Sequence, residues 1–334
     1  MVSWVLPTCL MFSLVASSNQ AIAAQGDSTA SMVRLEPVDL AGFHEGPNSI
    51  VCLSDKTRVL STLADARKII VLSTDGTSHT IRTKAAVSRI RCAGGKIYTL
   101  ETLEMPVAKE TAPGSTQKTG WAIRAYEAAG GTSATVRAGE GASVLDFLPA
   151  EGFLYYFSQG SYSQKTGRSD LVIWCFPLSS AAGMTSGETS VTIANATISR
   201  PRDFALYGGW LHYLTYGAGT KSGTRSIVFR VNPASGELQK VIEGLNIADF
   251  CILPPTKTLA FIQTVRHATG VFHVFGMSPI EDSTAKPIRR IMNVEGLCSG
   301  LWHDEIENAL MTKVTSAGED DRPHIEVRRL VFDH

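Results

Sequence analysis

Three segments of this chain repeat one pattern. They are Asp146-Phe147-Leu148-Pro149-Ala150-Glu151-Gly152-Phe153-Leu154-Tyr155-Tyr156-Phe157, Asp203-Phe204-Ala205-Leu206-Tyr207-Gly208-Gly209-Trp210-Leu211-His212-Tyr213-Leu214, and Asp249-Phe250-Cys251-Ile252 running into Leu259-Ala260-Phe261-Ile262. Each opens on Asp-Phe, continues as a short apolar run, turns at Gly or Pro and restarts as an apolar or aromatic run. A period of roughly 40–60 residues marks a repeat architecture, in which one unit cannot bury its apolar face alone and must stack on its neighbours. The repeat also places a carboxylate at one equivalent position in three successive units.

Six such units can be laid out, opening at Ser49, Arg89, Val144, Asp203, Asp249 and Cys298. Each reads as short β-branched and aromatic runs bounded by Gly, Pro, Asn, Asp and Ser, the pattern of strands joined by tight turns. Asp75-Gly76, Gly130-Gly131 and Asn232-Pro233-Ala234-Ser235-Gly236 are such turns. A sustained helical period is almost absent. The sixth unit offers Cys298–Trp302, Ala309–Val314 and His324–Phe332 and lacks a fourth strand. The segment Met32-Val33-Arg34-Leu35-Glu36, stopped by Pro37, can supply it.

Borrowing the first strand to complete the last unit closes a ring and removes an open sheet edge. In this the chain resembles six-bladed β-propellers of the TolB-like, NHL-like and SMP-30-like (lactonase-like) superfamily. The resemblance is one of architecture and covers residues 32–334. It implies an all-β, six-bladed β-propeller of four-stranded antiparallel blades, closed by the N-terminal strand. The Gly94-Gly95-Lys96-Ile97-Tyr98 and Gly208-Gly209-Trp210 turns are common to many propellers, and no WD, YWTD or kelch signature singles out a family.

The first 24 residues carry no charge, Val2 to Val15 is mostly apolar, and Ala21-Ile22-Ala23 is a small-x-small cleavage pattern. This reads as a signal peptide over residues 1–24, then a linker over 25–31 and one domain over 32–334. The expected location is exported, periplasmic or extracellular, with no membrane span after cleavage. Lys plus Arg equals Asp plus Glu, 31 against 31. That balance argues against nucleic acid, whose phosphates call for a basic excess. Five cysteines follow the leader, all in expected strands and none in a CxxC. They read as buried thiols acting as small hydrophobes, with a Cys52–Cys92 disulfide as the alternative.

Aligning the units puts Ser49, Arg89, Asp146, Asp203, Asp249 and Ser299 at the entrance to the central channel. Clustered carboxylates there raise one another's pKa and can receive a cation or a ligand. The plainer reading is that each Asp satisfies backbone N–H groups of a turn copied with its unit. The loops between second and third strands expose Lys118, Lys165 and Lys221 in Lys-Thr-Gly or Lys-Ser-Gly sequences on the same face, a position where rigid scaffolds often carry binding groups. The expected ligand-binding set is Arg89, Asp146, Asp203, Asp249, Lys118, Lys165 and Lys221, and the expected partner is a protein, peptide or glycan. The chain then acts as a binding or scaffold module, a monomer or part of an envelope complex, with no cofactor.

His44-Glu45-Gly46-Pro47 supports an alternative. It resembles the entrance of gluconolactonase-like (SMP-30-like) propellers, where a Glu at this place holds the active-site metal. The resemblance implies a divalent-metal-dependent, lactonase-like hydrolase with Glu45, Asp203 and Asp249 around Ca²⁺ or another divalent ion. GxSxG, HExxH and Walker sequences are absent.

Overall fold

The structure is a computed structural model that describes residues 32–40, 47–54, 56–62, 64–104, 119–140, 144–178, 187–197, 202–220, 223–267, 270–281, 287–292, 294, 296–317 and 323–332. The N-terminal leader and linker therefore lie outside the described residues. The described part is almost all strand. β1 (Val33–Pro37) comes first. Then follow β2 (Pro47–Ser54), β3 (Thr57–Thr62), β4 (Lys68–Ser73) and β5 (Ser78–Arg82), and after them β6 (Ala86–Ala93), β7 (Lys96–Glu104), β8 (Thr119–Glu127) and β9 (Ala134–Glu140). The next eight are β10 (Val144–Ala150), β11 (Phe153–Ser163), β12 (Arg168–Pro177), β13 (Thr189–Thr197), β14 (Arg202–Tyr207), β15 (Trp210–Thr220), β16 (Gly223–Val231) and β17 (Leu238–Leu245). The last seven are β18 (Ile247–Leu253), β19 (Thr258–His267), β20 (Gly270–Pro279), β21 (Ile288–Met292), β22 (Leu297–Asp304), β23 (Ala309–Ala317) and β24 (Pro323–Phe332). One 3-10 turn, Pro254–Thr256, sits between β18 and β19.

β2–β5, β6–β9, β10–β13 and β14–β17 form four antiparallel four-stranded sheets in simple meander order. The remaining strands form one eight-stranded sheet ordered β18-β19-β20-β21-β1-β24-β23-β22. Its two quartets meet at a single parallel bridge, Val33 to Met292, whereas β1 pairs with β24 along its whole length. The borrowed first strand is thus seated where the sequence pattern put it. The difference from six separate sheets lies in that one bridge.

The arrangement is that of a propeller. The first strand of each quartet lies beside the first strand of the next, from β2 through β6, β10, β14 and β18 to β22. Packing follows the same order. One apolar cluster joins the β2–β5 and β6–β9 sheets through Val59, Ile69, Ile90 and Ile97. Another joins the β10–β13 and β14–β17 sheets through Phe157, Leu171, Phe204 and Tyr213. The circle closes where Leu60 and Ile70 of the first sheet pack on Met311 and Val327 of the last quartet. Along a strand, alternate residues serve opposite neighbours: Val59 faces one cluster and Leu60 the other. Strands buried on both faces explain the nearly continuous apolar runs. Burying each large side chain of this kind contributes roughly 1.5–3 kcal/mol.

Closure is also ionic. Arg58 of β3 makes a two-point contact with Asp304 of β22, Nε to Oδ2 at 2.8 Å and Nη2 to Oδ1 at 3.1 Å. Nη2 also reaches Glu307 at 3.0 Å. Cys52, Cys92, Cys175, Cys251 and Cys298 are all free thiols, so no Cys52–Cys92 disulfide is formed. Burial pushes the thiols of Cys92 and Cys298 up to about 12, the behaviour of inert core groups.

Candidate functional site

Each of β2, β6, β10, β14, β18 and β22 carries a register shift near its N-terminal end. The shifts fall between Pro47 and Ser49, Val87 and Arg89, Val144 and Asp146, Arg202 and Ala205, Ile247 and Asp249, and Ser299 and Leu301. A bulge bends its strand and re-aims the side chains around it. Together they mark this end of the neighbouring first strands as the mouth of the ring. Arg89, Asp146 and Asp249 are each the first paired residue after a bulge, and Asp203 lies within one. Ser299 is the last residue before its shift and is exposed, and Leu301 takes the position after it.

Asp146 is fully buried. Its Oδ1 accepts the N–H of Phe147 at 2.8 Å, and its Oδ2 meets Arg91 Nη2 at 2.9 Å. The basic partner from the preceding sheet is therefore Arg91 and not Arg89, two positions earlier on the same strand. Asp249 repeats half of this pattern: its Oδ1 accepts the N–H of Phe250 at 2.8 Å, while its Oδ2 accepts the N–H of Leu301 from the next quartet. Both carboxylates satisfy the N–H of the residue that follows them, not those of the preceding turn as the sequence suggested, and tie the bulge to a neighbour.

Asp203 differs. Its backbone has φ 58°, a left-handed conformation uncommon outside glycine. Its carboxyl group neighbours that of Asp249 and disfavours a charge there. Burial first, and then the charge of Asp203, push Asp249 well above the usual carboxylate range, although the N–H groups of Leu301 and Phe250 pull the other way.

Lys313 of β23 also reaches the mouth. Its ammonium donates to the carbonyl of Asn48, the bulge residue of β2, at 2.6 Å. The side chain crosses Gly300, where a Cβ would stand 3.0 Å from Lys313 Cε and 3.8 Å from Asp249 Oδ2. Gly300 has φ +78°, so its glycine serves both the bulge and the passage of the lysine. Burial lowers the Lys313 pKa, Asp249 and Asp203 support its charge, and Arg89 opposes it. Lys313 and Asp249 are thus neighbours across Gly300. Arg89 is half-buried and donates to the Ser88 carbonyl at 3.3 Å.

The sequence pattern named Arg89 and the three Asp residues for this place, but not Arg91, Lys313, Asn48 or Gly300, which the structure sets beside them. Arg91 carried a signal, since residues two apart share a strand face. Of the rim lysines, Lys165 is exposed on the turn joining β11 and β12, on the mouth side. Lys118 and Lys221 lie outside the described residues, as does Glu45 of the metal alternative. Among the described residues no group of three or more His, Cys, Asp or Glu is placed to hold a metal ion. Nor is any helix among them long and apolar enough to cross a membrane.

No protein-family profile and no curated protein matches the chain. Solved structures share its fold. A glucose dehydrogenase aligns with a TM-score of 0.52 at 10% identity, over 88% of this chain and 98% of that one. Oligogalacturonate lyase in complex with manganese aligns with a TM-score of 0.50 at 10% identity, over 86% and 78%. TolB from Acinetobacter baumannii gives 0.49 at 13% identity, over 82% and 63%. The chain spans 28% of tricorn protease, with which it also aligns. Likeness at such identity concerns the fold alone, and the fold is β-propeller-like.

Proposed function

We propose that this chain is an exported, six-bladed β-propeller that serves as a binding module, engaging its partner on the mouth face. The uncharged first 24 residues support export. The six-blade count is supported by taking the two quartets of the eight-stranded sheet as separate blades, since one parallel bridge is all the strand pairing that joins them. The ligand-binding set is Arg89, Asp146, Asp203 and Asp249, with Lys313 added and with Lys118, Lys165 and Lys221 on the rim.

The observation that carries the reading is the Asp203–Asp249 pair. Two carboxyl groups in contact, one of them on a left-handed backbone, lower the stability of the fold. Costs of this kind gather at functional sites. An Asp that only ties its own bulge to a neighbour needs neither feature.

The test uses a photo-cross-linking amino acid placed at Lys165 on the mouth side, or at Phe153 on the opposite side. Each variant is exposed to extract of the native compartment. A discrete adduct from position 165 and none from 153 is expected. An adduct from 153 alone, or none from 165, overturns the assignment of the face.

A further inference from the structure

We infer that β1 is the strap of a latch: its seating on β24 and the docking of the last quartet against the first sheet are one coupled step, linked by a relay of charged side chains and by the segment that follows the strap. This goes beyond the binding-module reading and does not depend on it.

The first ground is a continuous run of charge contacts across the closure. Glu36 of β1 stands opposite Arg329 of β24, and its Oε2 meets Arg329 Nη2 at 2.8 Å. Nη1 of the same guanidinium lies 3.5 Å from Oε2 of Glu307. The other oxygen of Glu307, Oε1, meets Arg58 Nη2 of the first sheet at 3.0 Å, and Arg58 goes on to Asp304. Glu307 is the hub. One oxygen serves the strap side, the other serves the first sheet, and its backbone N–H donates to Asp304 Oδ1 at 3.0 Å on the turn between β22 and β23. A strap off its seat takes Glu36 away, Arg329 regains its rotamer freedom, and Glu307 loses a partner that orients its carboxylate toward Arg58. The Glu36 and Arg329 side chains are 41% and 42% exposed, whereas those of Asp304 and Arg58 are 2% and 9% exposed. The relay therefore has one end open to salt and the other inside the closure.

The second ground is covalent. The chain does not leave the seam where the strap ends. The Val38 N–H donates to the Val327 carbonyl at 3.0 Å. Leu40 is buried in the cluster that joins Leu60 and Ile70 of the first sheet to Met311 and Val327 of the last quartet, and Val38 packs against it. The step from Pro37 to Leu40 reaches at most about 11 Å. A strap that lifts farther than that withdraws Leu40 from between the sheets it helps to hold together.

The test is native-state hydrogen exchange of the full-length chain at low salt. Glu36→Gln breaks the relay at its exposed end, and Glu307→Gln breaks it at the hub. Glu281→Gln is the control, because it makes the same charge change at an exposed pair with Lys257 elsewhere on the surface. Glu36→Gln is expected to speed exchange of the β3 and β4 amides about threefold, the scale of a partly exposed ion pair. The β10–β13 amides should stay unchanged, and so should every β3 and β4 amide in Glu281→Gln. The double variant should exchange no faster than Glu307→Gln alone, and about 1 M salt should erase the effect of Glu36→Gln. Acceleration confined to β1 and β24, a double variant equal to the product of the two singles, or the same acceleration from Glu281→Gln overturns the inference.

Discussion

Asp203 and Asp249 make a testable pair because their contact has a sign in pH. Burial and the Asp203 charge raise the folded-state pKa of Asp249. Its contribution to stability is therefore full below the ordinary carboxylate pKa and is lost as pH rises through the raised value. Asp203→Asn removes the repulsion, and Asn is tolerated in the left-handed region. The variant is expected to gain about 1 kcal/mol at neutral pH, with the gain shrinking toward about pH 4. Urea unfolding across that range checks it, and a loss at every pH would count against the repulsion. Asp146→Ala leaves Arg91 without its partner and the Phe147 N–H without its acceptor. That change is expected to cost about 3–5 kcal/mol, read from the same unfolding curves.

Strands and turns were legible because a strand buried on both sides needs long apolar runs and the turns need Gly, Asn and Asp. The bulges were not legible. A bulge is defined by the partner strand's register, and nothing in Val144-Leu145-Asp146 alone reveals that Leu145 is the extra residue. Lys313 was hidden for the same reason, since its path depends on Gly300 in the neighbouring strand. One cross-strand dependence can be tested directly. Gly276 is paired with Phe261, and a Cβ at position 276 would run into the Phe261 ring. Phe261 is fully buried between sheets, so the ring has nowhere to go. Gly276→Ala is expected to cost about 3 kcal/mol by overpacking. The double variant with Phe261→Leu should recover part of it in calorimetric melting, and an additive loss would refute the clash.

Ring closure is a property of the whole molecule, and beyond the packing of Leu60 and Ile70 on Met311 and Val327 two devices serve it. One is β1 on β24. The other is Arg58 on Asp304. Burial alone would raise the Asp304 pKa, but the hydrogen bonds and charge of Arg58, with the N–H groups of Glu307 and Ile306, hold the carboxyl below its usual value. Its contribution is present above the ordinary carboxylate pKa and is lost as pH falls through the lower folded value. Asp304→Ala should therefore lower the melting temperature at neutral pH and flatten the acid limb of stability, as melting between about pH 3 and 7 will show. Removing residues up to Pro37 bares the edge of β24. Self-association or precipitation is expected, because an unpaired edge recruits other chains. Size-exclusion chromatography checks this, and a monodisperse truncated chain would mean that β1 is dispensable.

The pairing of Val33 with Phe332 has a further consequence. Both the entry of the chain into the ring and its exit lie at the end of the blades away from the mouth, because β24 starts on the mouth side and finishes opposite it. A segment joined at Phe332 therefore leaves the ring on the side away from the opening. A short sensor-chip linkage fixed there is expected to turn the Arg89 side of the molecule away from the support.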